Sequence, residues 1–407
     1  MITQELIEQT EGRFTQRQGI RHEREMKIQS GAVLEADSPD RVRKRIQHLA
    51  QMVIESEGVG LPAVDQAQGP GLPTLERIMG TNDLMPISYL ERGSRLARTV
   101  GRIHVRGPDG NHRGYGTGFL VSPRLLLTNN HVLTDAGVAA VSRVEFDFQE
   151  GIDGRLQSSI FVNLDPQAFF ATDKPLDFSL VALKGDVGKI APYGWNGLSA
   201  AEGKVIVGEF VTIIQHPGGK RKQLALRDNQ VVDVLDNYLH YRTDTSPGSS
   251  GSPVFNDQWE VVSLHHSGVP KKDTQGRILA RGGQVFTSSM GEDQIDWIAN
   301  EGVRISQILR HVQGLSLSGD QAMLRKQLLD SEKGWQVATA ASKEVAMKEA
   351  EAADSAPASA VEWLVGSTGS SNKVAMNGLE AEAAGSAPAS AAEWLLGRTN
   401  GSRTRGL

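Results

Sequence analysis

Between about residues 99 and 290 the chain is cut into short β-rich runs by Gly, Pro, Asn and Asp, and this texture constrains the fold more than any other feature. The runs are Thr99–Arg106, Val144–Phe148, Phe178–Leu183, Phe210–Gln215, Gln230–Val234, Tyr238–Arg242 and Glu260–Leu264. Many short strands separated by turn residues predict a barrel or a sandwich, because each strand must find partners to satisfy its backbone and bury one face. Glycine, 44 of 407 residues, exceeds the usual ~7% and supplies such turns. Helices are expected at Glu292–Ala299 and near Ser306–His311, where the strand texture ends.

The two ends differ from this centre. Residues 1–58 are charged and helical in pattern: Ser38 reads as an N-cap, Pro39 as the first helical residue, and Val42, Ile46, Leu49, Val53 and Ile54 share one face. Residues 59–77 read as a Gly/Pro-rich linker and 313–350 as a charged, Ala-rich helical segment. Residues 351–407 form a flexible tail in which SAPASAVEWLVG (355–366) recurs as SAPASAAEWLLG (386–397). Two copies are too few for a solenoid. The repeat is either filler with one duplication or a docking peptide for a protein partner, anchored by Trp363 and Trp394.

Several function classes fall on composition. With no Cys there are no disulfides, no thiolate metal sites and no cysteine nucleophile. Ten His occur without an HExxH pattern, so no metal is expected. The Gly218-Gly219-Lys220 stretch lacks phosphate-loop spacing and reads as a hairpin turn, and no cofactor is expected. A net charge of −5 gives no attraction toward nucleic acid. There is no apolar run of ~18 residues to span a membrane, and the start, MITQELIEQTEGRFTQRQ, has no apolar signal-peptide region. With the missing Cys, these features lead to the expectation of a cytoplasmic protein.

Three segments carry the chemistry: GTGFLVSPRLLLTNNHVL (116–133), TDKPLDFSLVAL (172–183) and DTSPGSSGSPVF (244–255). In this order, in a Cys-free β-rich region, they resemble the trypsin-like serine peptidases, and within them the bacterial glutamyl-endopeptidase branch. The resemblance implies a mainly β fold of two antiparallel six-stranded barrels over 78–312, flanked by helical extensions, that hydrolyses peptide bonds in protein or peptide substrates. A serine hydroxyl needs a base beside it and a group to orient that base. Ser250 sits in a Pro/Gly/Ser turn suited to exposing one side chain. The backbone N–H groups of Gly248 and Ser250 would form the oxyanion hole. His131, at a strand end, is the candidate base, and Asp177, opening an apolar strand, the candidate orienter, with Asp173 as the alternative.

The specificity pocket is read from the same resemblance. Glutamate-specific members carry a His fifteen residues beyond the serine and a Thr five before it, positions held here by His265 and Thr245. Protonation of His265 would improve the charge balance with a substrate carboxylate. Asp244 stands where trypsin-type enzymes hold the carboxylate that receives Arg or Lys, so acidic and basic P1 preferences both stay open. His266 would shape the pocket wall, and Ser267 and Gly268 would offer a backbone edge to extended peptide. Glu76-Arg77-Ile78 resembles an activation cleavage site. The residue before the nucleophile is Ser249 rather than the family's Asp, so the usual activation salt bridge cannot form. Residues 1–77 are either an inhibitory or recruiting segment or a simple helical extension. A protease-fold binding module without activity is the alternative function.

Overall fold

The computed structural model describes residues 3–57, 85–185, 190–226, 229–243, 245 and 247–330. The linker, the Glu76-Arg77-Ile78 site, Asp244, most of 313–350, and the tail with Trp363 and Trp394 lie outside them.

The first half of the β region closes on itself. Strands β1 (Val100–Arg106), β2 (His112–Leu120), β3 (Leu125–Thr128), β6 (Phe178–Leu183), β5 (Ile160–Asp173) and β4 (Arg143–Phe146) pair antiparallel in that order, and β4 returns to β1. Closure removes the unpaired edges that short strands otherwise expose. Its interior is filled by Ile103, Leu120, Leu126, Val144, Phe146 and Val181.

The second half does not close. It is a 7-stranded sheet in the order β8 (Gln223–Ala225), β7 (Thr212–Gln215), β11 (Pro253–Phe255), β12 (Val261–Pro270), β13 (Trp297–Arg304), β10 (Tyr238–Tyr241) and β9 (Val231–Val234). The expectation of two six-stranded barrels is therefore corrected to one closed barrel and one open sheet. The end strands β8 and β9 are only three and four residues long and are not neighbours in the strand order. The β9 edge is covered instead by helix α2 (Gln18–Gln29), which follows α1 (Gln4–Gln16). Arg17, at the α1–α2 junction, grips the buried Asp233 carboxylate of β9 through Nε at 2.5 Å and Nη2 at 2.9 Å.

The expected helix at Glu292–Ala299 is likewise corrected. A short 3-10 turn occupies Glu292–Gln294, and Trp297 starts β13, which hydrogen-bonds to β12 on one side and β10 on the other. Two ladders outweigh the weak local helical preference of WIANEG. The helix expected near Ser306–His311 is present as Ile305–Gln313; Ile305, Ile308, Leu309 and Val312 line its buried face. Those residues pack with Phe119, Leu127, Phe178, Phe255 and Leu264 into one core shared by barrel and sheet.

The N-terminal helices are docked through buried charge. Helix α3 (Pro39–Glu57) starts at Ser38, whose Oγ accepts from the Arg41 N–H at 3.4 Å. From it, Arg45 reaches Glu209 at 2.9 Å with both side chains buried, and His48 meets Glu260 at 2.9 Å. Helix α4 (Ser88–Arg98) leads into β1, and α5 (Ala136–Val141) follows His131. No helix among the described residues is long and apolar enough to cross a membrane.

Candidate active site

His131 lies just past β3, in a loop pinned from below by Asn129, whose Nδ2 donates to the Asp177 carbonyl at 2.8 Å. Asp177 sits in the tight turn between β5 and β6 with φ at +45°, a left-handed conformation that Asp tolerates better than most residues. The two side chains meet directly. Asp177 Oδ2 accepts from His131 Nδ1 at 2.8 Å, and Oδ1 accepts from the His131 backbone N–H at 3.0 Å. Asp173 is engaged elsewhere, its Oδ1 accepting from the Leu176 N–H at 2.7 Å. His131 Nε2 is buried and has no hydrogen-bond partner among the described residues.

Asp177 is nearly inaccessible. Burial works against its ionised form, yet the charge and hydrogen bonds of His131 and His266 outweigh that and hold its carboxyl well below the usual carboxylate range. It is a fixed anion, able to hold one tautomer of the His131 ring.

Ser250 belongs to the turn between β10 and β11, stitched to both halves of the molecule. Its carbonyl accepts from the Thr117 N–H of β2 at 2.8 Å, and Thr117 Oγ1 donates to the Gly248 carbonyl at 2.8 Å. On the other side Gly251 N–H donates to the His265 carbonyl at 2.9 Å. Gly248 and Gly251 have φ of +95° and +88°, which glycine adopts at no steric cost. A Cβ on Gly251 would collide with the Thr117 carbonyl oxygen and the Thr128 hydroxyl. The turn therefore approaches β2 as closely as backbone allows. The Gly248 and Ser250 N–H groups donate to no backbone acceptor among the described residues.

The remaining sequence candidates divide at a β-bulge. His265 pairs with Gly302 and Ser267 with Glu301, so His266 is an extra residue in β12. A bulge re-aims side chains, and here both histidines are buried but meet different partners. His265 Nδ1 lies 2.8 Å from the Tyr241 hydroxyl. Burial, with the charges of His266 and His131, pushes His265 down to about 3. If the phenol donates to Nδ1, the ring's own proton sits on Nε2. Thr245 Oγ1 donates to Asn300 Oδ1 at 2.6 Å, and Ser267 Oγ is buried without a partner among the described residues. His266 touches Asp177 through Nδ1 at 3.2 Å and Glu301 through Nε2 at 2.9 Å. Burial alone would neutralise it, but these two carboxylates push it up to about 8.

Among the described residues no group of three or more His, Asp or Glu side chains is gathered as a metal-binding set. A groove of about 840 Å³ is lined by Tyr89, Phe148, Lys222, Leu224 and Trp259 and by none of the residues above.

A family model described as a trypsin-like peptidase domain matches residues 116–264, a stretch that contains His131, Asp177 and Ser250. The chain carries a trypsin-like peptidase domain. This domain is similar in sequence to several proteins. An uncharacterized protein, y4fB, of Sinorhizobium fredii is 40% identical over 268 residues, 60% of this chain and 40% of the relative. A protein named secreted RxLR effector protein 73, of Plasmopara viticola, is 32% identical over 200 residues, 43% of this chain and 46% of the relative. A glutamyl endopeptidase of Staphylococcus aureus is 26% identical over 211 residues, 48% of this chain and 58% of the relative. The chain spans less than half the length of the first two of these relatives.

Sequence reasoning did not find Glu301, Arg13, Tyr241 or Asn300. Each acts through a partner far away in the chain, and a single Glu in WIANEGVR or a single Arg in a charged helix leaves no local signal.

Proposed function

We propose that the chain is a serine endopeptidase working through Ser250, His131 and Asp177. The observation that carries this is the buried His131–Asp177 pair, whose His131 Nε2 has no hydrogen-bond partner among the described residues, in a domain whose Ser250 turn is glycine-built and tied to the barrel. Asp177 holds the Nδ1–H tautomer, so Nε2 takes the proton of Ser250 as its Oγ attacks the peptide carbonyl. The Gly248 and Ser250 N–H groups receive the oxyanion, a contribution of a few kcal/mol in comparable sites, roughly 2.7–4 per donor. His131 then gives its proton to the leaving amine, the acyl-enzyme forms, and water attacking through the same base releases Ser250.

The substrate preference we propose is glutamate at P1. A neutral His265 whose Nδ1 receives from Tyr241 has Nε2–H to offer a carboxylate. The similarity to glutamyl endopeptidases points the same way. The test pairs fluorophosphonate labelling with peptide-library profiling. Labelling that is lost in Ser250→Ala, and cleavage after Glu that is lost in His265→Ala, are expected. Absence of labelling in the wild type overturns the peptidase reading. Cleavage after Arg or Lys overturns the glutamate preference in favour of Asp244 as the pocket's determinant.

A further inference from the structure

Behind Asp177 the polar contacts do not end. They continue through the sheet to the N-terminal helix. His266 bonds Asp177 on one side and Glu301 on the other. Glu301 on β13 is fully buried and accepts from four side chains. These are His266 Nε2 at 2.9 Å, His240 Nε2 at 2.8 Å, Thr10 Oγ1 at 3.0 Å and Arg13, through Nε at 2.9 Å and also through Nη2. Thr10 and Arg13 both belong to α1, almost 300 residues away in the chain.

A second set of contacts runs beside the first. The Arg13 guanidinium lies 4.0 Å over the ring of Tyr238, and that ring stacks on His266 with centroids 5.6 Å apart and planes 9° apart. The Tyr238 hydroxyl donates to the Pro175 carbonyl at 3.1 Å, two residues before Asp177. Phe14, next to Arg13, meets the edge of His240 at 5.3 Å. The α1 helix thus touches the support of Asp177 by a charged route and by an aromatic one.

We propose that α1 completes the catalytic apparatus: Arg13, acting through Glu301 and His266, positions the Asp177 carboxylate and with it the His131 ring. This rests on the reading of His131, Asp177 and Ser250 as the catalytic set. Arg13, Glu301 and His266 touch no substrate and are positioning residues. The N-terminal segment is then neither inhibitory nor a passive extension, since its removal uncovers a buried carboxylate that shares a histidine with Asp177. The charges alternate along the route, from Arg13 through Glu301 and His266 to Asp177. The two carboxylates, which raise the proton affinity of His266 against the opposing effect of burial, keep it in the cationic form that this alternation needs. The ionisable groups around His266 are Asp177, Glu301, His265, Tyr238, His131, and, through Glu301, His240 and Arg13.

The test measures kcat, KM and the pH profile of peptide hydrolysis for the full-length wild type, Arg13→Met, Arg13→Lys and Glu301→Gln, with thermal melting as the control for the fold and Ser250 labelling of the wild type as the control for the peptidase reading. Arg13→Met is expected to lower kcat by about ten- to hundredfold, the loss typical of a small misplacement of a catalytic group, with KM within about twofold. Removing a positive charge makes the surroundings of His131 more negative, so the acidic limb of kcat/KM moves up by about 0.5 pH unit, less than the ~1–3 units of a charge in contact. Glu301→Gln removes a negative charge and moves the limb down, while Arg13→Lys restores the wild-type limb. A cluster that merely held α1 in place would cost thermal stability and leave the limb unmoved. If Arg13→Met does not fold, the downward limb of Glu301→Gln and the restored limb of Arg13→Lys decide. Variants that keep the wild-type kcat and limb, or whose limbs move in the same direction, overturn the inference. A wild type that fails to label overturns the peptidase reading itself and is seen before any variant is compared.

Discussion

Replacing Asp177 by Asn isolates what this carboxylate does. The backbone tolerates the change, because Asn shares with Asp the ability to hold the φ of +45° found there. The side chain does not. Both oxygens are acceptors in the native arrangement, Oδ1 for the His131 backbone N–H and Oδ2 for His131 Nδ1 and His266 Nδ1. An amide has one acceptor and one donor end. With its NH2 toward the backbone N–H, two donors collide. With its NH2 toward the imidazole, His131 must present a bare Nδ1 and carry its proton on Nε2, the atom needed to accept from Ser250. The favourable orientation therefore selects the inactive tautomer. In an equivalent arrangement elsewhere this substitution costs about 10⁴ in kcat, or ~5.4 kcal/mol at 1.36 kcal/mol per decade. We expect the same order for Asp177→Asn in kcat and in the rate of fluorophosphonate labelling. Thermal melting of the variant checks that the fold is kept. A labelling rate within tenfold of the wild type would refute the tautomer argument and leave Asp177 a structural anion.

Further outcomes follow from other contacts. His266 holds its proton up to about 8 in the folded protein against 6.5 for the free side chain, so its stabilisation is complete below pH 6.5 and lost as pH rises through 8. At 1.36 kcal/mol per unit this is about 2 kcal/mol; melting temperature should fall over that window and the fall should vanish in His266→Gln. His265 and His216, both held near 3 by burial, act in the opposite sense and only below about 6.5, so they do not blur it. Gly251→Ala forces a Cβ into the Thr117 carbonyl at a left-handed φ, which costs at least the ~1–2 kcal/mol of that conformation; loss of Ser250 labelling together with a lower melting temperature is expected, and unchanged labelling would show that the turn has more room than its geometry allows. Arg45→Met strips the buried Glu209 of its partner and should destabilise the protein by about 3–5 kcal/mol in chemical denaturation, with the pH profile of the surviving activity unmoved because Arg45 is not part of the His131 network.

The legible part of this protein was local. β6 falls where its run of residues predicts, from Phe178 to Leu183, because six consecutive buried positions leave an unmistakable apolar stretch. The turn around Ser250 is visible because only glycine suits positive φ at 248 and 251. The placement of His131 at a strand end and Asp177 at a strand start follows from the same local texture. What tertiary structure alone decided is how distant segments meet. Residues 297–304 became a strand because β10 and β12 offered ladders on both sides, and the second sheet stayed open because α2 rather than another strand covers the β9 edge. The line from Asp177 through His266 and Glu301 to Arg13 joins four places in the chain. Periodicity and turn chemistry record the preferences of neighbouring residues. An ion pair spanning 288 positions, with its carboxylate fully buried, is selected by what that charge would cost unpaired in the folded interior, and that cost exists only once the fold has brought the two together.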